Sequence, residues 1–165
     1  MRAATGKDCS SNTSLVLAEI KALGEELARR RRVFSQHVPP DHTSKNESFK
    51  QQVVPFVLGM AGLREEYAPR VQSVAGRITQ LHGRGWVEKE EVRELWYALT
   101  MAATELSEHP HERKKMAAII VDNDNRMVAW DVNRIPDGLT PRARYYVEKT
   151  RRGFIVSSVV LNLRL

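Results

Sequence analysis

Histidine, cysteine and carboxylate side chains are the groups from which a catalytic or metal centre is built, and this sequence places few of them together. His109 and His111 stand two residues apart with Glu112 beside them, which has the form of an H-x-H metal half-site. A zinc centre takes three or four protein ligands, and neither a cysteine nor a third histidine lies near, so the spacing fits a solvated turn better. His37 and His42 fare no better. Cys9 is the single cysteine; it lies in a polar N-terminal stretch read as a disordered tail, with no partner for an intrachain disulfide. No phosphate-binding glycine loop, no G-x-S-x-G and no Cys/His nucleophile pair occurs. What remains is Asn133, in a loop that carries prolines and a glycine, and two basic runs. One is Arg29, Arg30, Arg31 and Arg32; the other is Arg142, Arg144, Lys149, Arg151 and Arg152. With a net charge of +6 they favour acidic partners such as nucleotides, nucleic acid or anionic surfaces. Such runs are usually solvated faces.

The elements that must position these residues change character along the chain. Leu15, Leu17, Ala18, Ile20, Leu23, Leu27 and Ala28 recur at helical spacing, which predicts a helix over Ser14–Phe34 with Ser14 as its N-cap. Ser35 to Glu47 contains two prolines and two histidines and reads as a linker, with a boundary near residue 45. From Ser48 to His82 the pattern stays helical, but Pro55, Gly59, Gly62, Pro69 and Gly76 are expected to break it into short pieces. A cleaner helix follows over about Glu88–Ser107, with Val92, Leu95, Trp96, Leu99, Met101, Ala102 and Leu106 on its apolar face; His109-Pro110 ends it. Two short apolar runs, Met116–Val121 and Met127–Trp130, flank the sequence Asp122-Asn123-Asp124-Asn125-Arg126. Asn and Asp tolerate left-handed geometry and bond their own backbone, so this reads as a β-hairpin. Asn133–Pro141 is a loop, and the β-branched run Phe154–Leu163 is a candidate third strand that tertiary context could make helical. The division expected is 1–45 (tail, helix, linker), 46–108 (helical) and 109–165 (α/β).

The stretch KKMAAIIVDNDNRMVAWDVNRIPDG resembles the opening of the cytidine and deoxycytidylate deaminase superfamily, in particular the deoxycytidylate type. There a helix leads into a pattern close to T-K-V-G-A-V-I-V-D-x-D-x-R-I-V-x-x-G-Y-N-G-x-P-x-G. Lys115, Ala118, Ile120, Val121, Asp122, Asp124, Arg126, Val128, Asn133, Pro136 and Gly138 fall in register without a gap. The resemblance implies an α/β fold of helices on a mixed sheet, of which this chain supplies a partial layer of hairpin and possible third strand after its N-terminal helices. It also implies contact between Asn133 and a nucleotide sugar. The loop departs from the pattern at Asp131, Val132 and Arg134, where the family has glycine, tyrosine and glycine. A turn residue capping its own loop is the alternative reading of Asn133.

The family's chemistry requires zinc held by a histidine and cysteines, and a glutamate that shuttles protons, written H-x-E and P-C-x-x-C. The register sets Ser157, Ser158 and Val159 where His, Ala and Glu belong, and six residues follow, to Leu165. No catalytic residue, zinc ligand or cofactor is therefore expected. The sequence reads as a truncated or degenerate deaminase-like protein without catalysis as written. The alternative is a non-enzymatic basic helical adaptor that meets nucleic acid or an acidic protein through Arg29, Arg30, Arg31 and Arg32. With so few strands, the partial sheet leaves edges and an apolar face to be covered by the helices or in an oligomer. No run of 18 or more apolar residues suits a bilayer and no secretory signal opens the chain, so a cytoplasmic location is expected.

Overall fold

The computed structural model describes residues 7–36, 47–83 and 89–134. Three helices come first: α1 Lys7–Ser35, α2 Glu47–Gly83 and α3 Lys89–Ala103. Two 3-10 turns, Thr104–Leu106 and Glu112–Lys114, then lead into strands β1 Ala117–Val121 and β2 Met127–Val132. The fold is a mixed α/β one, mainly helical, with a small two-stranded antiparallel sheet. The loop after Arg134 and the run Phe154–Leu163 lie outside the described residues.

The expected fragmentation of the second helical region is corrected: α2 is one helix of 37 residues with Pro55 and Pro69 inside it. Its physical reason is spacing. Pro55, Gly62, Pro69 and Gly76 stand seven residues apart, nearly two helical turns, so they share one stripe, and all four are exposed. The carbonyls that the prolines orphan can bond water there, and the opposite face carries the packing. That face is Phe56, Val57, Met60, Leu63, Tyr67, Val71, Val74, Ala75, Ile78 and Leu81, all buried. Propensity loses to burial because each of these side chains is worth about 1–3 kcal/mol when removed from water.

In α1, the proposed N-cap Ser14 is also corrected. The helix begins at Lys7, so Ser14 is an exposed interior residue and Cys9 belongs to the helix rather than to a tail. No glycine or proline stands between Lys7 and Ser14 to stop the helix earlier. Its seam of Val16, Ile20, Leu23 and Leu27 faces the buried stripe of α2 and the buried Val92, Leu95, Trp96, Leu99 and Ala102 of α3. Met101, expected on that apolar face, is half exposed. The α1–α2 register is antiparallel and fixed by ion pairs: Glu19 with Arg77, Glu26 with Arg70 and Arg30 with Glu66. Gly24 of α1 lies against Ala102 of α3, where a β-carbon would sit 3.4 Å from the alanine methyl.

The hairpin forms as the alternation of its residues requires. Ala117, Ile119, Val121, Met127, Trp130 and Val132 pack toward the helical core, and Ala118 and Ile120 face outward. Register runs Ile119 to Trp130 and Ile120 to Ala129, then Val121 to Met127, so Val128 is an extra residue bulged out of β2. The turn is built by Asp122, whose Oδ1 accepts from the backbone N–H of Asp124 at 3.0 Å and of Arg126 at 2.8 Å. Asn125 supplies the left-handed residue at φ 60°.

Glycine substitutions in α2 separate packing from propensity. A β-carbon at Gly62 meets nothing within 4 Å, whereas one at Gly59 would lie 2.4 Å from the Phe34 ring. Gly62→Ala is expected to stabilise by about 0.5–1 kcal/mol and Gly59→Ala to destabilise by about 1–3 kcal/mol, read from urea midpoints. A Gly59→Ala variant as stable as the parent would show that Phe34 does not pack there.

Candidate functional site

Two residues after Leu27, the last buried leucine of α1, the seam meets an arginine-rich end, and the four arginines separate by direction. Arg31 continues the apolar seam, four residues after Leu27 and three before Phe34, and is 1% exposed. Its guanidinium stands 5.1 Å from the centre of the Phe56 ring. Nη1 donates to the Ser107 carbonyl at 2.6 Å and the Glu105 carbonyl at 3.3 Å, Nη2 to the His109 carbonyl, and Nε to Glu112 Oε1 at 2.9 Å. One buried cation thus holds the segment that links α3 to β1. Arg30 points to α2 instead, where a two-pronged pair with Glu66 at 2.9 and 3.0 Å and a bond to the Tyr67 hydroxyl hold it. Arg29 and Arg32 remain exposed. The reading of Arg29–Arg32 as one solvated basic face is therefore corrected. At about 100° per residue, four consecutive residues cannot share a helix face.

The joint that Arg31 holds also contains Asn133. Its Oδ1 accepts from the Ser107 hydroxyl and from the Met116 N–H at 3.0 Å, and its Nδ2 donates to the Lys114 carbonyl at 2.9 Å. Its backbone carbonyl accepts from the Glu108 N–H at 3.0 Å and its N–H donates to the Met116 carbonyl at 3.1 Å. Ser107 and Glu108 are buried here. Asn133 therefore ties the end of β2 to both the exit of α3 and the approach to β1.

His109 and His111 serve the same segment. His109 Nδ1 accepts from the His111 N–H at 3.0 Å, and His111 Nδ1 accepts from the Arg113 N–H at 3.2 Å, capping the Glu112–Lys114 turn. Their rings meet edge to face with centres 6.5 Å apart. No group of three His, Cys, Asp or Glu side chains suited to a metal ion occurs among the described residues. His37 and His42 lie outside them, as do Arg142, Arg144, Lys149, Arg151 and Arg152.

At the other end of the hairpin, Asn125 is gripped from two helices. Thr79 Oγ1 of α2 donates to its carbonyl at 2.7 Å, and Trp96 Nε1 of α3 donates to its Oδ1 at 3.1 Å. Between α2 and β2 lies an open groove lined by Gln72, Thr79, Gln80, Arg126, Met127 and Trp130, among others. Spacing along α1 gave a signal for the burial of Arg31. The grips on Asn125 depend on contacts between distant segments and had none.

Electrostatics concentrates on the α1–α2 seam. The Tyr67 hydroxyl donates to Glu26 Oε1, and with the Arg70 guanidinium it holds the Glu26 carboxyl below its ordinary value. The same bond to Glu26, together with burial, pushes the Tyr67 phenol up. At Glu112, burial acts to raise the carboxyl, but the bonds from Lys115 and Arg31 more than offset it and the net direction is down.

No family model, curated protein or solved structure matches this chain. Among the described residues no helix is long and apolar enough to cross a membrane.

Arg31→Gln leaves buried carbonyls without their charged donor and is expected to cost at least about 3 kcal/mol, while Arg32→Gln on the exposed side changes stability by less than about 0.5 kcal/mol. Equal effects in urea titrations would refute the division between them. For pH, a carboxyl depressed by folding stabilises at pH values above its unfolded pKa, and this is lost as pH falls through the folded value. Glu26 thus weakens the fold as pH drops below its ordinary 4.5. Tyr67, raised by folding, contributes below its ordinary 10.0 and loses that contribution as pH rises beyond it. Glu26→Gln is expected to flatten the acid limb of a stability-versus-pH curve, and an unchanged limb would remove Glu26 from this role.

Proposed function

We propose that this chain is a degenerate relative of the deoxycytidylate deaminases that has no deaminase catalysis of its own and acts as a binding protein in the cytoplasm. The observation that carries the reading is the use made of Asn133. Where the resembled family turns a loop asparagine toward a nucleotide sugar, this side chain is bonded to Ser107, Met116 and Lys114 of its own fold. Its neighbours Asp131 and Arg134 replace glycines of the family pattern, and glycine is what lets backbone approach a ligand closely. The order helix, turn, strand, Asx turn, strand runs in register with that family's opening, which supports descent.

The donor set does not fit the family's metal. A deaminase zinc needs His and Cys ligands and a glutamate beside them, and the matching positions here are Ser157, Ser158 and Val159. A serine hydroxyl keeps its proton near neutral pH and is a poor ligand for zinc beside imidazole or thiolate.

The test is direct. Purified full chain is incubated with dCMP and with cytidine, with and without added zinc, and ammonia release and bound zinc are both measured. The expected outcome is no ammonia above the protein-free rate and no stoichiometric zinc. Zinc-dependent release of ammonia from either substrate would overturn the proposal.

A further inference from the structure

We infer that Arg29 and Arg32 of α1, together with Arg113 and Lys114 of the following 3-10 turn, form a surface that binds the phosphate backbone of nucleic acid. This inference stands on charge and geometry and does not depend on kinship to deaminases.

Arg30, Arg70 and Arg77 are held in the α1–α2 ion pairs, Arg31 is buried, and Lys115 bonds both Glu105 and Glu112 at 2.6 Å. Arg29, Arg32, Arg113 and Lys114 are exposed and make no ion pair among the described residues. Arg29 and Arg32 stand three apart, and residues at that spacing are neighbours on a helix surface.

What brings the second pair to the first is the buried clasp. Arg31 donates to Glu112 at 2.9 Å, so the residue next to Arg32 in sequence is bonded to the residue next to Arg113. Arg31 and Lys115 together balance Glu112 and Glu105, so these four groups carry no net charge with which to oppose an incoming anion. His111 caps the turn that carries Arg113 and Lys114, which fixes their backbone. Two segments 81 residues apart, each carrying two exposed cations, thus meet at one joint.

The partner is read from the chemistry. Three guanidinium forks match phosphate oxygens two at a time. A membrane surface would call for a broad apolar face beside the cations. On α1 near this cluster only Val33 is both large, apolar and exposed. A phosphodiester backbone needs no such face, only spaced positive charge.

Full chain is titrated into a fluorescein-labelled 20-nucleotide single strand and the corresponding duplex, following anisotropy between about 50 and 200 mM salt. If each of the four cations neutralises one phosphate, affinity is expected to fall about 50- to 150-fold across that range. In the double variant Arg32→Gln/Lys114→Gln the fall is expected to shrink to about tenfold. Arg93→Gln, at an exposed pair with Glu90 on α3, is expected to leave it unchanged. Circular dichroism melts confirm that the variants fold, as substitution of exposed residues without ion pairs should allow. Absence of binding at the lowest salt, binding that ignores salt, or a double variant with the parent's salt dependence each overturns the inference. So does binding confined to vesicles of anionic lipid.

Discussion

A single guanidinium in the interior holds the parts of this molecule together. Arg31 lies among apolar side chains, and a charge there is tolerated only where hydrogen bonds replace the water it loses. Four bonds do so, to the carbonyls of Glu105, Ser107 and His109 and to the Glu112 carboxylate. Those carbonyls belong to the irregular stretch between α3 and β1, whose backbone has few partners of its own in a helix or sheet. The cation thus solves two desolvation problems at once: the segment's carbonyls find a donor, and the arginine finds acceptors.

Asn133 completes the joint from the sheet side. By bonding Ser107, Met116 and Lys114 it ties the end of β2 to the stretch that Arg31 grips. At the far end, Thr79 and Trp96 hold Asn125. A two-stranded hairpin is marginal in water by itself. Here it is fastened at both ends by side chains from the helices and packs Ile119, Trp130 and Val132 between those fastenings.

Much of this was legible in the sequence where the information is local. The Asx turn at Asp122 and both strands follow from short-range patterns, and α3 was visible from its apolar face. Two misreadings share a physical cause. Propensity taken one residue at a time marks Ser14 as a cap and the glycines and prolines of α2 as breaks, whereas nothing before Ser14 stops α1 and Pro55, Gly62, Pro69 and Gly76 stand on the exposed face of α2. The seven-residue spacing of Pro55, Gly62, Pro69 and Gly76 was present in the sequence and pointed to a continuous helix. The four arginines likewise form a unit only along the sequence, because Arg31 falls on the seam of Leu27 and Phe34. The partner of that buried charge, 81 residues away, leaves no local trace.

The stripe of prolines and glycines on α2 also bears on how the fold comes apart. Against alanine, each proline disfavours an isolated helix by about 3 kcal/mol and each glycine by about 1 kcal/mol. On its own, this segment has little reason to be helical. It is a helix because α1 and α3 cover its other face, so it has no stable half-way form to fall back on when they leave. The three helices gain and lose their order together, as one cooperative unit.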